Sequence, residues 1–517
     1  MKKKLFKTRL LSFAAFCGLT FAFASCANED VAQSPNNTDN DKNLTTFTAG
    51  DPSTRTSMQS DGKFFWEAGD KIWVKDDNGI WNASSNSPTS KTAYFKFKVP
   101  GTYTAHMSYK VYYPGQNGNQ DQVTIPATQS QSEPNTTTHF GTSGDCGMAT
   151  ATRITGERNF NFTLDHKAAY LLLLPRTSNT ILHDCYLTKV EINSDNDITS
   201  TYTLDPTTGE LTGTGTGKQI IVSTGGSGAY ANGFPLTNNS TSAATNGSYV
   251  VIKPGIHTLK IRYWVKDIVT GTEGTITKTL ASATYDQNKY YNITANLNVK
   301  DYEGDKYYMW DAQQNYWAGH EWNSASPWQP VLNSNSNSNY PKSTSDPRYC
   351  NTYFPGNNIS NPATHTSCKD LPNVNEMTWY AAYGEPRWDA HELWTTMGHL
   401  YKGGMWFKKK SVLQGEGHYN STAAVDGTDW RTTNKSYSWS ASQTLPSAAD
   451  ANKYFYLPAL GQYNVGGLYN VGIYGRYWSS SAHPRRYDYA YILDFTNGYV
   501  GVKGYGREFG FRVGGLE

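Results

Sequence analysis

The sequence predicts a mainly β chain: two β-sandwich domains followed by an α+β domain. Three observations carry this. Apolar and polar residues alternate over short runs, the period of a half-buried strand. No helical pattern of any length precedes residue 300. The composition, 14% aromatic and only 17% charged over 517 residues, is rich in Thr, Ser, Asn, Gly and Tyr. It suits strands joined by polar loops on an exported protein. A chain this long holds about two to four domains. Its 45 basic and 43 acidic residues leave a net charge of +2, which gives no electrostatic reason to expect a nucleic-acid partner.

Lys2-Lys3-Lys4, Lys7 and Arg9 form a basic start. The apolar run over residues 10–24 is shorter than a membrane span. It ends Phe23-Ala24-Ser25-Cys26, which resembles a bacterial lipoprotein signal: residues 1–25 are removed and Cys26 carries lipid. Asn28-Glu29-Asp30 resembles the acidic signal that sends some lipoproteins to the outer face of the outer membrane. Residues 26–43 bury no apolar face and read as a flexible tether.

Strands begin at Leu44. Phe64-Phe65-Trp66 and Ile72-Trp73-Val74 read as two strands joined through Ala68-Gly69-Asp70. Residues 94–99 alternate, and Ala168 to Leu174 is a short apolar run stopped by Pro175, as in a strand buried on both faces. In the second unit Leu259, Ile261, Tyr263 and Val265 alternate with polar or amphipathic partners. Gly271-Thr272-Glu273-Gly274 turns the chain back. Tyr291, Ile293, Ala295, Leu297 and Val299 form one apolar face.

Thr54-Arg55-Thr56, Trp66-Glu67-Ala68-Gly69-Asp70-Lys71-Ile72 and Asp165-His166-Lys167-Ala168-Ala169 together resemble the fimbrillin-like family. These are bacterial lipoproteins that build type V pili or related surface structures. The resemblance covers residues 44–300 and implies transthyretin-like sandwiches at 44–175 and 176–300. It also implies other pilus subunits as partners and a proteolytic maturation site, for which Arg55 is the candidate.

After residue 300 the chain becomes Trp-rich. Asn375 is expected to cap a short helix carrying Met377, Trp379 and Tyr380. Asp389, with Glu392 three residues on, is expected to cap a second helix whose apolar face is Leu393, Met397 and Leu400, ended by Gly403-Gly404. With Tyr456-Leu457-Pro458-Ala459, Tyr477-Trp478-Ser479-Ser480-Ser481 and Gly510-Phe511-Arg512-Val513, residues 301–517 are similar to C-type-lectin-like domains. More narrowly they resemble FISUMP-type domains and the variable proteins of diversity-generating retroelements. That resemblance implies a variable region at about 463–517 whose altered side chains share one ligand-binding face. Rewriting both adenines of an Asn codon cannot yield Lys, Glu, Gln, Met or Trp. Residues 473–509 hold only three of these, Trp478, Lys503 and Glu508, and none of the three is counted as a variable site.

The expected display set is Ile473, Tyr474, Arg476, His483, Pro484, Arg485, Arg486, Tyr487, Asp488, Tyr489, Tyr491, Asp494, Thr496, Tyr499 and Tyr505. Tyr and Arg supply rigid contact area and forked hydrogen bonding, the mix that binding surfaces favour. Trp478, Ser479 to Ser481, Leu493, Phe495, Gly510, Phe511 and Val513 are expected as scaffold.

No catalytic group is expected. The chain after Cys368 contains no Cys, so the late reactive cysteines of formylglycine-generating enzymes are missing. Ser479-Ser480-Ser481 near His483 reads as a packed turn. Glu133-Pro134-Asn135 matches the sugar-reading tripeptide of calcium lectins, but it lies upstream of the lectin-like region and reads as a loop. No calcium loop, phosphate loop or zinc spacing is found, so no cofactor or metal is expected. Cys350 and Cys368 flank one loop and form the candidate disulfide; Cys146 and Cys185 would be the other pair. The reading is a surface lipoprotein adhesin of the cell outer membrane, anchored there by its lipid. Its partner would be a protein or glycan on another cell or host surface. The alternatives are a structural type V pilus subunit and a calcium-dependent glycan lectin.

Overall fold

Trp66-Glu67-Ala68-Gly69-Asp70 organises the first core. Trp66 is buried against Phe97 at 4.9 Å and Tyr113 at 5.5 Å between ring centroids. Gly69 takes φ +89°, which only a residue without Cβ adopts readily. The buried Asp70 accepts from the Glu67 amide (2.7 Å), the Tyr113 hydroxyl and the Gln116 amide (2.9 Å each). The motif is therefore a tied turn with an aromatic anchor.

The computed structural model describes residues 43–50, 57–58, 64–213, 215–352 and 361–517. The expected signal, Cys26, the tether up to residue 42 and Arg55 lie outside the described residues. The chain is mainly β, in several sheets. The first is eight-stranded and includes Leu44–Ala49, Phe95–Pro100, Ser108–Tyr113 and Gly147–Arg153. Leu44–Ala49 runs parallel to Phe160–Phe162. Its core contains Phe47, Trp66, Phe97, Val111 and Phe160.

A second core holds Leu171, Leu173, Val190, Ile192, Val250, Ile261 and Tyr263. Tyr186–Ser194 lies between Leu259–Lys266 and Gln219–Thr224, and Ala169–Arg176 lies between Ser248–Ile252 and Lys289–Asn296. Gln122–Ile125 and Thr128–Gln131 pair with strands from this later part of the chain rather than with the first sheet. The buried side chains of Gln129 and Gln131 bond the backbone of Val251 and Tyr249 at 2.7–3.0 Å, closing a sheet edge with side-chain amides. Asp145 accepts from Tyr170 at 2.5 Å and pairs with His166 at 2.9 Å, which accounts for His166 in the motif Asp165-His166-Lys167-Ala168-Ala169.

In the third region one helix, Val374–Tyr383, is capped by Asn373 in a reciprocal capping box with Glu376. The cap is Asn373, not the expected Asn375. Asn375 is buried and bonds the Trp430 amide and the Asp429 carboxylate instead.

The second expected helix is a β-hairpin, Arg387–Thr396 with His399–Lys408. Asp389 does cap two amides, those of His391 and Glu392 at 2.9 and 3.0 Å, but across a bulge in the first strand. Met397 and Gly398, with φ +48° and +81°, make the two-residue turn that a tight hairpin demands. Cross-strand pairing of Trp394, Thr395 and Thr396 outweighs the helical spacing of Leu393, Met397 and Leu400.

This hairpin seats the third region on the second. Leu393 and Leu400 enter the second core. Asp267 accepts from the Leu400 amide at 3.0 Å and pairs with His399 at 3.1 Å. Lys402 donates to the Glu273 carbonyl at 2.9 Å. A Cβ on Gly274 would meet a Leu393 methyl at 2.6 Å, so a larger residue there would displace Leu393 from its seat. Among the described residues no helix is long and apolar enough to cross a membrane.

All four described cysteines are free thiols, so the expected Cys350–Cys368 and Cys146–Cys185 bridges are both absent. Burial pushes the Cys350 and Cys368 thiols up to about 12, and Cys368 sulfur accepts from the Asp311 amide instead.

Candidate functional site

The C-terminal tail forms most of a six-stranded sheet in which Gly475–Ala482 is central. Tyr489–Phe495 and Tyr499–Gly506 follow on one side and Phe511–Arg512 lies on the other. Phe511 and Arg512 in turn pair with Tyr308 and Tyr307, tying the two ends of the region together. One face packs Tyr477, Tyr491, Leu493, Phe495 and Val502 into the main core of the region. The other packs Trp478, Ala482, Ile492 and Phe511 under Trp310 and the segment around Cys368. Covered on both faces, Gly475–Ala482 is buried along its entire length.

The three serines are consumed by this scaffold. Ser479 donates to the Tyr491 carbonyl at 2.8 Å, and Ser481 accepts from the Val374 amide at the start of the helix at 3.0 Å. Trp310 and Trp478 donate in reciprocal fashion to the Ser479 and Tyr308 carbonyls at 2.9 and 2.8 Å. Asp311, fully buried, accepts from Asn351, Thr364 and the His365 amide at 2.6–3.0 Å, holding that segment against the sheet. Glu133-Pro134-Asn135 is likewise structural: the Asn135 amide donates to Gly247 and its side chain accepts from Tyr249.

The expected display residues divide by burial. Tyr491 and Asp494 are fully buried, and Arg476 and His483 are 8% and 7% exposed. None of these four is displayed, because the sheet is covered on both faces. Ile473, Arg485, Arg486 and Tyr487 are exposed. Tyr474, Pro484, Asp488, Tyr489, Thr496, Tyr499 and Tyr505 are half-buried.

Two constellations result. In the first, Asp494 receives Arg476 at 2.8 Å, Lys503 at 2.5 Å and the Tyr499 hydroxyl at 2.7 Å. The Arg476 guanidinium is sandwiched by Tyr474 at 4.7 Å and Tyr505 at 4.9 Å, and also bonds Gln462. Two cations around one carboxylate leave a local positive charge, framed by half-buried tyrosines. The second is the loop between the strands. His483 Nδ1 accepts from the Arg485 and Arg486 amides at 3.2 and 3.1 Å, and its ring stacks on Tyr491 at 5.3 Å. Arg486 pairs with Asp488 at 2.7 Å and lies over the Tyr489 ring at 3.6 Å. Arg507 fastens the loop base through the Tyr489 carbonyl at 3.0 Å while stacking on Trp310.

Burial, helped by Arg486, holds the His483 imidazole below its ordinary value, consistent with a neutral ring accepting at Nδ1. The Arg486 partner holds the Asp488 carboxyl below the usual carboxylate range. Burial brings Arg507 down to about 10, so it stays charged at neutral pH.

Lys503, Gln462 and Arg507 were outside the expected site. Lys503 is not reachable from an Asn codon, and Gln462 lies just before the expected variable region at about 463–517. Nothing local to Arg507 distinguishes it from a surface arginine. Among the described residues no group of three His, Cys, Asp or Glu side chains is gathered as a metal ion requires.

No family model matches the chain, and no curated protein matches it. Solved structures with partial likeness include one described as a candidate cell adhesion protein from Bacteroides fragilis. It is 12% identical, covers 49% of this chain and 93% of its own, and has a TM-score of 0.31. The fimbrial anchor protein Mfa2 from Porphyromonas gingivalis is 11% identical over 46% of this chain and 82% of its own, with a TM-score of 0.24. A fimbrial protein from Bacteroides ovatus is 12% identical over 91% and 99%, with a TM-score of 0.25. Likeness at these scores carries no argument about what this chain does.

Proposed function

We propose that this chain is a non-enzymatic cell-surface adhesin. In this reading two fimbrillin-like domains, over 44–175 and 176–300, carry a C-type-lectin-like domain at 301–517. Lipid on Cys26 anchors it to the outer membrane, with or without assembly into a pilus. The single observation that supports ligand display is the loop from His483 to Tyr489: Arg485, Arg486 and Tyr487 stand in solvent on a base of buried groups. Exposed side chains on a separately stabilised base can change without unfolding the domain, which is what retroelement diversification needs. A Tyr or Arg anchor in such a surface contributes on the order of 2 kcal/mol or more to binding.

The test is to replace Arg485, Arg486 and Tyr487 together, the three exposed residues of the loop, and measure adherence of bacteria displaying the protein to immobilised host and bacterial cell surfaces. Adherence should be lost with the melting temperature unchanged. Adherence that persists, or a domain that unfolds, overturns the assignment. Diversification has a separate check: a reverse transcriptase gene and a near-copy of the tail-coding sequence, differing at adenines, beside this gene.

A further inference from the structure

We propose that the cleft beside the strand Tyr454–Pro458 is a second ligand site, one that takes a neutral carbohydrate with a pyranose ring stacked on Tyr456 and Trp406. The cleft has a volume of about 600 Å³, within the usual range of small-ligand sites. It lies apart from the displayed tail residues and shares none of them.

Tyr456 and Trp406 are directly opposite on adjacent strands, with ring centroids 5.0 Å apart at 54°. A Cβ at Gly404 would meet the Tyr456 hydroxyl at 2.4 Å and its ring carbon at 2.5 Å. The hydroxyl end of the tyrosine therefore lies over the glycine backbone, where any other residue would push it away. Both rings are half-buried and line the cleft with Tyr302, also half-buried. Flat aromatic faces set at an angle suit the C–H faces of a pyranose and offer little to a flexible polar chain.

The polar groups agree. The Tyr456 hydroxyl is packed against Gly404 and has no hydrogen-bond partner, so the ring, not its hydroxyl, is what Tyr456 offers to the cleft. The Ala459 amide bonds Gly403, and the Lys409 amide bonds the Lys453 carbonyl. By strand alternation, the N–H and C=O of Tyr456 then point away from its neighbouring strand, to the open side of the sheet. Glu392 and Lys300, both exposed, and Lys409 also line the cleft. Mixed charge disfavours a strongly anionic or cationic ligand, whereas a sugar hydroxyl donates to a carboxylate and accepts from an ammonium equally well.

The experiment titrates the purified protein with cellotriose, lactose and N,N′-diacetylchitobiose at millimolar concentration, following tryptophan fluorescence and calorimetry. At least one sugar should bind saturably, unaffected by chelator and by Tyr487→Ala. Trp406→Ala should weaken that binding about tenfold or more. Should Trp406→Ala fail to fold, Trp406→Leu reads the same site, keeping an apolar side chain but removing the flat ring; it should weaken binding severalfold. No saturable binding of any of the three sugars overturns the proposal. So does binding that survives these variants unchanged, or an extended peptide that occupies the cleft while no sugar does. Because Tyr487→Ala is silent here, failure of this site and failure of the tail as an adhesive surface are distinguishable.

Discussion

At one end of the hairpin formed by Gly475–Ala482 and Tyr489–Phe495, Arg476 and Asp494 pair in the interior. At the other, Arg485, Arg486 and Tyr487 stand in solvent. Both ends pair an arginine with an aspartate, Arg476 with Asp494 and Arg486 with Asp488; the coverage differs. Where layers lie on both faces, a charge must find its partners or unfold the domain. Where the loop leaves the sheet, side chains are constrained only at its base. The first end should therefore govern stability and the second recognition.

The largest effect should come from Asp494→Ala. It strands the buried Arg476 guanidinium and releases Lys503 and Tyr499, and breaking a buried pair from one side costs about 3–5 kcal/mol. Arg476→Ala should cost less, because Asp494 keeps Lys503 and Tyr499. Denaturant titration of both variants checks the order. Equal and small losses would mean that the interior end is no more structural than the loop.

Next is the hinge between the two ends. His483→Ala removes the acceptor for two loop amides and the stacking on Tyr491, a loss of about 2 kcal/mol. The same residue gives a pH signature. Its folded value lies below the ordinary 6.5, so below pH 6.5 the unfolded chain takes up the proton first. Its contribution to stability is complete above that pH and declines as pH falls. Buried His139, drawn down to about 4, adds a slope of the same sign. The diagnostic is the difference between the wild type and His483→Gln, which should show a shallower decline below pH 6.5. Superimposable profiles would place the loop base elsewhere.

This division also marks what could be read from the chain. Alternation over Leu259–Lys266 gave a strand buried at every second residue, and Trp66 and Asp70 behave as a short-range motif should. Asp389 to Leu400 failed because local spacing fits a helix equally well. Only the partner strand His399–Lys408 and the docking of Leu393 and Leu400 onto a distant core decide for the hairpin. In the tail, Tyr491 and Asp494 carry the same letters as displayed residues. Tyr491 is buried in a core shared with the helix Val374–Tyr383, more than a hundred residues upstream in sequence, and Asp494 is enclosed by Arg476, Tyr499 and Lys503 from neighbouring strands. Of the loop His483 to Tyr489 only Arg485, Arg486 and Tyr487 are exposed; the burial of His483 comes from its stacking on Tyr491 and its bonds to the loop amides, which the composition does not reveal.

The smallest effect on stability should be at the displayed end, and it is the most informative one. Arg485→Ala and Tyr487→Ala remove exposed side chains and should each change stability by no more than about 0.5 kcal/mol. Arg486→Ala breaks a solvent-exposed pair with Asp488, and such pairs hold little against screening; its melting curve should overlay that of the wild type. The same three substitutions should reduce adherence severalfold or more. Thermal melts and adherence on one set of variants thus place each residue on two axes. Asp494 should move far along the first. Tyr487 should move only along the second, since its contribution arises when a partner covers it.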